Sequence, residues 1–256
     1  MHGKVSMVIP CYNKVNYISN MFDSIIAQEW DNIELILVND GSTDGTREII
    51  AEYETKFRYR GFEVIIVDQK NSGVCAAAKA GLERITGDFV CMVDADDELD
   101  PKYVSTMARW LEEHEEYDYV ACEGILYKIV DNTKFFRQFT PMEIVANRTD
   151  ILVRWLLSGF RTTVWIYMVR LSYFHKCRIL ETYYTQNKGS HEPGYVIPLL
   201  SYGGRLKYFP LPLYHFNKSG IGHSQLYIMM KLKSFAKSII NYAFYQYRTY
   251  QTICLI

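Results

Sequence analysis

Asp94 and Asp96 stand two residues apart where an apolar run stops, in the stretch Gly87-Asp88-Phe89-Val90-Cys91-Met92-Val93-Asp94-Ala95-Asp96-Asp97. Phe89 to Val93 is short, apolar and bounded by polar residues, the pattern of a buried strand. In extended backbone, side chains two apart leave on the same face, so the two carboxylates converge. Converging carboxylates repel each other unless a cation lies between them, and oxygen ligands alone suit a hard divalent ion, Mn or Mg. An ion held by so few protein ligands completes its shell with substrate phosphates. The same acids have a structural reading. Asp97, Glu98 and Asp100 precede Pro101 and the helical stretch Lys102 to His114, where Asp100 suits the N-cap and Pro101 the first helical position.

Two more strands end in a comparable way. Glu34 to Val38 is apolar and runs into Asn39-Asp40-Gly41-Ser42-Thr43-Asp44-Gly45, with helical periodicity from Thr46 to Tyr53. The stretch from Val5 ends in Pro10-Cys11-Tyr12-Asn13, and a helix-like segment, Tyr17 to Gln28, follows. Strands alternating with helices predict an α/β chain with a mostly parallel sheet and right-handed crossovers. Ligands of such sheets bind outside the carboxyl ends of the strands, so Tyr12, Asp40 and Asp94 are expected to face one crevice. An Asx turn with a serine cap accounts for Asp40-Gly41-Ser42 alone. It does not account for three strands that all end in ligand-type residues.

The blocks Val5–Asn13, Glu34–Thr46, Asn71–Leu82 and Gly87–Asp97 resemble, in order and spacing, the nucleotide-sugar half of glycosyltransferase family 2, which has the GT-A fold. Val164–Arg170 resembles the segment after that family's acceptor-side loop, and Leu206–Phe216 its closing strand pair. The resemblance covers roughly residues 4 to 224. It implies a GT-A catalytic domain over 1–224, with a donor half at 1–98 and an acceptor half at 99–224. It also implies donor contacts at Pro10, Tyr12, Asn13, Asp40, Asn71, Lys79, Asp94 and Ala95, with Pro10, Tyr12 and Asp40 around the uridine. Asp94 and Asp96 match the Asp-x-Asp signature that holds Mn or Mg on the donor diphosphate. One departure stands out: the family often reads Ala-Arg-Asn where this chain has Ala77-Ala78-Lys79, which leaves Lys79 to supply positive charge near the diphosphate.

The implied reaction is inverting transfer of a sugar from a UDP-sugar to a hydroxyl of a glycan or lipid-linked glycan in cell-surface polysaccharide synthesis. A metal ion stabilises the leaving diphosphate as a Lewis acid, and a base takes the proton of the incoming hydroxyl. By the resemblance the base is an acid in the second half, where Thr185-Gln186-Asn187-Lys188-Gly189-Ser190-His191-Glu192-Pro193 stands. Glu192 is the expected base, on a loop because of its Gly/Ser/Pro surroundings. His191 is the reserve, and Glu181 is a weaker candidate at the end of a core-edge strand. Trp155, Trp165 and Tyr184 are available to stack on sugar faces.

Composition agrees with a soluble enzyme of one or two domains: 256 residues and 49% hydrophobic content suffice for a sizeable core. The six cysteines show no Cys-x-x-Cys or zinc-type spacing, which predicts free thiols in a cytoplasmic setting. There is no signal-peptide pattern, membrane-span stretch or internal repeat. Charge is uneven. From Pro193 onward the chain has seven Lys or Arg and no Asp or Glu, although the net charge is −1. Within that part, Ile228, Leu232, Phe235, Ile239 and Tyr242 recur at helical spacing, so 225–256 is expected to be an amphipathic helical appendage. It suits either peripheral contact with the inner face of an anionic membrane or packing in a homodimer. The ending Cys254-Leu255-Ile256, without a polar tail, is what a chain cut before a longer C-terminal region would show. Nucleic acid is excluded as a partner by the overall charge and the missing recognition motifs. Two rival readings remain from the residues. A nucleotidyltransferase would show a Gly-rich, Arg-containing loop where Pro10–Asn13 stands. A non-catalytic sugar-nucleotide or polysaccharide-binding protein would fit the arginine absent near Lys79.

Overall fold

A computed structural model describes residues 2–128, 133–135, 163–183, 185 and 192–218, with backbone alone at 126–128, 133–135, 192, 193 and 218. The chain opens with alternating elements: β1 (Val5–Cys11), α1 (Ile18–Ile26), β2 (Ile33–Asn39), α2 (Thr46–Arg60), β3 (Glu63–Asp68), α3 (Val74–Leu82) and β4 (Phe89–Met92). These follow from local pattern. In α1, Ile18, Met21, Phe22 and Ile25 are buried, the i, i+3, i+4, i+7 stripe of a helix lying on a sheet. Phe22 meets Tyr53 and Phe57 of α2 with ring centroids 5.2 Å apart in both cases. β2 is buried along its whole length, as a strand covered on both faces must be.

β5 (Glu98–Leu99), α4 (Tyr103–Glu113), β6 (Tyr119–Lys128), β7 (Thr133–Phe135), β8 (Tyr167–Arg170), α5 (Leu171–Lys176), α6 (Ile179–Thr182), α7 (Glu192–Ser201) and β9 (Leu206–Lys218) follow. Among the described residues they complete a nine-stranded sheet in the order β3-β2-β1-β4-β8-β6-β9-β5, with β7 paired to β6. β1 pairs in parallel with β2 and β4, and β2 with β3. The parallel sheet expected from the sequence is therefore present in the first part of the chain. β8 is antiparallel to both β4 and β6, and β9 runs parallel to β6, so the second half makes the sheet mixed. The β6–β9 register slips between Ala121 and Gly124, where buried Glu123 accepts a hydrogen bond from Tyr208 Oη. Such an irregularity bends a strand.

Several local expectations shift. The segment from Asp100 starts its helix later than the Asp-Pro pattern suggests. Asp100 N donates to Leu213 O (2.9 Å) and its Oδ1 accepts from Lys102 N (2.9 Å), so it ends the β5 pairing and makes a turn before the helix opens at Tyr103. Glu181, expected on a strand, lies in helix α6 and pairs with Arg178 three residues earlier. Glu192, expected on a loop, opens helix α7 with Pro193 in the first turn, a position proline accepts because its missing N–H would be unpaired there anyway. Trp165 is 3% exposed and stacks on Tyr214 at 4.1 Å and 12°, so it is core rather than a sugar platform. The five described cysteines, Cys11, Cys75, Cys91, Cys122 and Cys177, are free and buried. Burial pushes the thiols of Cys91 and Cys177 up to about 12, which suits packing rather than reaction. Trp155, Tyr184, His191, the side chain of Glu192 and the segment 225–256 lie outside the described residues. No helix among the described residues is long and apolar enough to cross a membrane.

The last strand closes on the acid turn. Tyr214 Oη donates to Asp97 Oδ2 (2.7 Å) and accepts from Asp94 N (3.1 Å). Asn217 N donates to Asp97 Oδ1 (2.8 Å), and Asn217 Nδ2 to Asp96 O (2.9 Å). Glu98 and Leu99 pair with His215 and Tyr214. Every one of these partners is more than 110 residues away along the chain. Replacing Tyr214→Phe keeps the ring stack but leaves the buried Asp97 oxygen and the Asp94 N–H without this partner. The variant is expected to lose about 1–3 kcal/mol of stability in urea unfolding. Wild-type stability in that measurement would show that the hydroxyl does not hold the turn.

Candidate functional site

Three adjacent parallel strands, β2, β1 and β4, deliver their C-terminal ends side by side. β1 ends at buried Cys11, and the next residue, Tyr12, is 45% exposed. Asn13 takes a left-handed backbone (φ 51°), which asparagine tolerates better than most residues. It is locked across to the β2 loop: Asn13 N donates to Ser42 Oγ (3.1 Å) and Thr43 N donates to Asn13 Oδ1 (2.9 Å). Lys14 N donates to Thr46 Oγ1 (2.7 Å) and Val15 N to Asp44 Oδ2 (3.1 Å). Asp44 Oδ1 accepts from Thr46 N (3.0 Å) and Thr46 Oγ1 (2.6 Å). Burial pushes the Asp44 carboxyl upward, but these hydrogen bonds outweigh it and hold it below the usual carboxylate range. It is a permanent anion that ties two loops and the start of α2 together.

Asp40 ties a third loop to them. It is 2% exposed. Its Oδ1 accepts from Gln69 Nε2 (2.7 Å) and Ser72 N (2.9 Å), and its Oδ2 from Gly73 N (2.9 Å). The carboxylate therefore organises residues 69–73, the loop that carries exposed Asn71. Gly41 has φ +69°, and a Cβ there would lie 2.7 Å from Asn71 N. Only glycine lets the two loops come this close. Pro10 is half-buried beside Tyr12, and Ala95 is buried between the two signature aspartates.

The acid turn follows β4. Asp94 and Asp96 are half-buried and Asp97 is 1% exposed. Burial first, then the charges of Asp94 and Asp96, push the Asp97 carboxyl well above the usual carboxylate range. Burial therefore favours the neutral form of Asp97. Lys14 Nζ lies 2.5 Å from Asp96 Oδ2. Burial works against the Lys14 charge, but the Asp96 charge and hydrogen bond, with the Asp94 charge behind them, win and raise its pKa. Lys14 is thus a fixed cation of the site. Lys79, expected near the diphosphate, leans along α3 to Glu83 Oε1 (4.0 Å), toward the far end of that helix.

Two oxygen-bearing acids fit a hard divalent ion that takes the rest of its shell from phosphate. They do not fit an ion caged by protein alone. Among the described residues, no group of three or more His, Cys, Asp or Glu converges to hold one. Sequence reasoning missed Lys14, Asp97 and Tyr214. Lys14 had a signal: it is a basic residue directly after the strand-end turn that faces the acidic one. Tyr214 had none, because its partners are set by tertiary pairing.

The profile of the family described as Glycosyl transferase family 2 matches residues 6–181. Glycosyltransferase GlyA of Streptococcus pneumoniae serotype 4 is 33% identical over 150 residues, 52% of this chain and 21% of that protein. Putative glycosyltransferase EpsH of Bacillus subtilis is 35% identical over 121 residues, 46% of this chain and 33% of its own length. The chain spans about a fifth to a half of the length of such relatives. Among solved structures, Staphylococcus aureus TarS 1-349 superposes with a TM-score of 0.65 at 21% identity, covering 84% of this chain and 60% of that one. The same protein has been solved with UDP-GlcNAc (TM-score 0.63). The mannosyltransferase PcManGT of Pyrobaculum calidifontis, solved with GDP-Man and Mn2+, superposes with a TM-score of 0.62 at 17% identity over 93% of this chain and 65% of that one. These superpositions establish the GT-A fold. With a profile match over more than half of its length, this chain belongs to glycosyltransferase family 2.

Proposed function

We propose that the chain transfers a sugar from a nucleoside-diphosphate sugar, in the uridine form, to a hydroxyl of a glycan or lipid-linked glycan, with inversion at the anomeric carbon. The observation that carries this reading is the shared rim. Exposed Tyr12, the loop tied to Asp40 and the Asp94–Asp96 turn follow the ends of three adjacent strands. The Tyr12 ring offers a flat face for a pyrimidine. Asp94 and Asp96 would hold Mn or Mg, which when bound supplies Lewis-acid neutralisation of the leaving diphosphate. Glu192 would accept the proton of the acceptor hydroxyl as that oxygen bonds to the anomeric carbon and the bond to the diphosphate breaks. Its start-of-helix position supports a fixed base, because backbone at an element end moves less than a free loop. The seven basic residues after Glu192 suit an anionic acceptor or an anionic membrane surface near it.

Three measurements test the reading. In a transfer assay with a panel of nucleotide sugars, Asp96→Ala is expected to abolish turnover while retaining the wild-type unfolding transition, and chelator is expected to silence the wild type. Normal transfer by the variant, or indifference to chelator, would remove the metal role. Glu192→Gln keeps the shape but cannot take a proton, so transfer should fall by about two to four orders of magnitude with donor affinity unchanged. Wild-type rates would move the base elsewhere, His191 first. Calorimetry with UDP and GDP should favour UDP. Equal or tighter GDP binding would overturn the uridine assignment.

A further inference from the structure

Lys14 has no part in the chemistry proposed above, yet it is the best-anchored cation of the acid turn. Its backbone is fixed by the bond to Thr46 Oγ1, between the locked Asn13 and the Val15–Asp44 contact. Its side chain is 32% exposed and that of Asp96 22%, so the pair is shielded but open to an incoming ligand. Its ammonium sits on Asp96 Oδ2, one of the two carboxylates assigned to the divalent ion. An ammonium already bonded to a carboxylate repels a dication that approaches the same group, so it weakens that carboxylate's hold on the ion.

We propose that Lys14 is a placeholder counter-ion that keeps divalent cations off the Asp94–Asp96 pair until a nucleoside diphosphate arrives, so that ion and nucleotide enter as a coupled pair. The inference rests on the metal reading of Asp94 and Asp96. The charge arithmetic supports it. Of the two carboxylates assigned to the ion, Asp96 already carries the Lys14 ammonium. What remains is a poor inducement for a hydrated dication to shed water. A diphosphate changes both sides of the balance. It brings the missing negative charge, and it gives the ammonium another anion to hold. Lysine suits such a hand-over, being a compact charge on a flexible stem with three donors free to reorient. By linkage, whatever the nucleotide adds to ion affinity the ion adds to nucleotide affinity.

The test is Mn2+ binding by electron paramagnetic resonance, with and without UDP, on wild type, Lys14→Met, Lys14→Arg and Asp96→Ala. Expected without UDP is weak binding by wild type and Lys14→Arg, and binding at least about tenfold tighter by Lys14→Met. The gain from adding UDP should shrink in Lys14→Met by at least the same factor. A merely structural role for Lys14 would leave Mn2+ affinity unchanged or lower it, and either result overturns the proposal. Thermal unfolding of each variant reports whether it is folded. Should Lys14→Met prove unfolded, Lys14→Gln replaces it under the same expectations. If wild type binds Mn2+ with UDP, Asp96→Ala does not, and the Lys14 variants match wild type, the placeholder fails while the metal reading stands. If no variant binds Mn2+ even with UDP, both fail together.

Discussion

Asp94, Asp96 and Asp97 put three carboxyl groups into four consecutive residues at the exit of β4, and their mutual repulsion constrains everything nearby. Three different devices contain it. Asp97 is driven into the core, where desolvation and its neighbours' charges favour the neutral form. Asp96 is matched with Lys14, brought over from the adjacent strand. Asp94 has its backbone N–H held by the Tyr214 hydroxyl. The first device needs burial, to which Tyr214, stacked on Trp165 and edge-on to Tyr103, contributes. The second needs β1 to lie beside β4, which the parallel register supplies.

On the other side of the crevice the problem is opposite. Asp40 and Asp44 are acids used as staples. Each accepts several N–H or O–H bonds, and each joins loops that follow different strands. A carboxylate does this better than an amide because all of its lone pairs accept. The rim is therefore held at the β1, β2 and β3 exits by bonding, and at the β4 exit by hydrogen bonds from β9 together with a charge balance. These are different kinds of rigidity. Bonds resist displacement whatever enters the crevice, whereas a charge balance changes as soon as another ion approaches.

Sequence patterns made the donor half readable because its information is local. β2 is an unbroken apolar run, α1 has a clean helical stripe, and the glycines and aspartates of the turns belong to known turn chemistry. The Asp94–Asp96 pair stood out for the same reason. What stayed hidden depends on contacts over long separations. Asp97 looked like the approach to a helix, since nothing near it in sequence shows that Tyr214 and Asn217 enclose it. Glu192 looked like a loop residue because glycine and proline were counted as breakers, although proline in a first helical turn is favourable. Lys79 was read as the cation of the site because it occupied the place of a usual arginine. A second ammonium, that of Lys14, reaches Asp96 from the turn after β1.

The closing strand makes the acid turn a mechanical junction. β9 pairs with β6 along its length and, near its end, grips Asp96 and Asp97 through Asn217 while Tyr214 grips Asp94. Asn217 is one residue from the end of that strand. The two signature aspartates are therefore tied to the last five residues of that strand. The backbone that aims the two carboxylates is thus held in place by the end of β9.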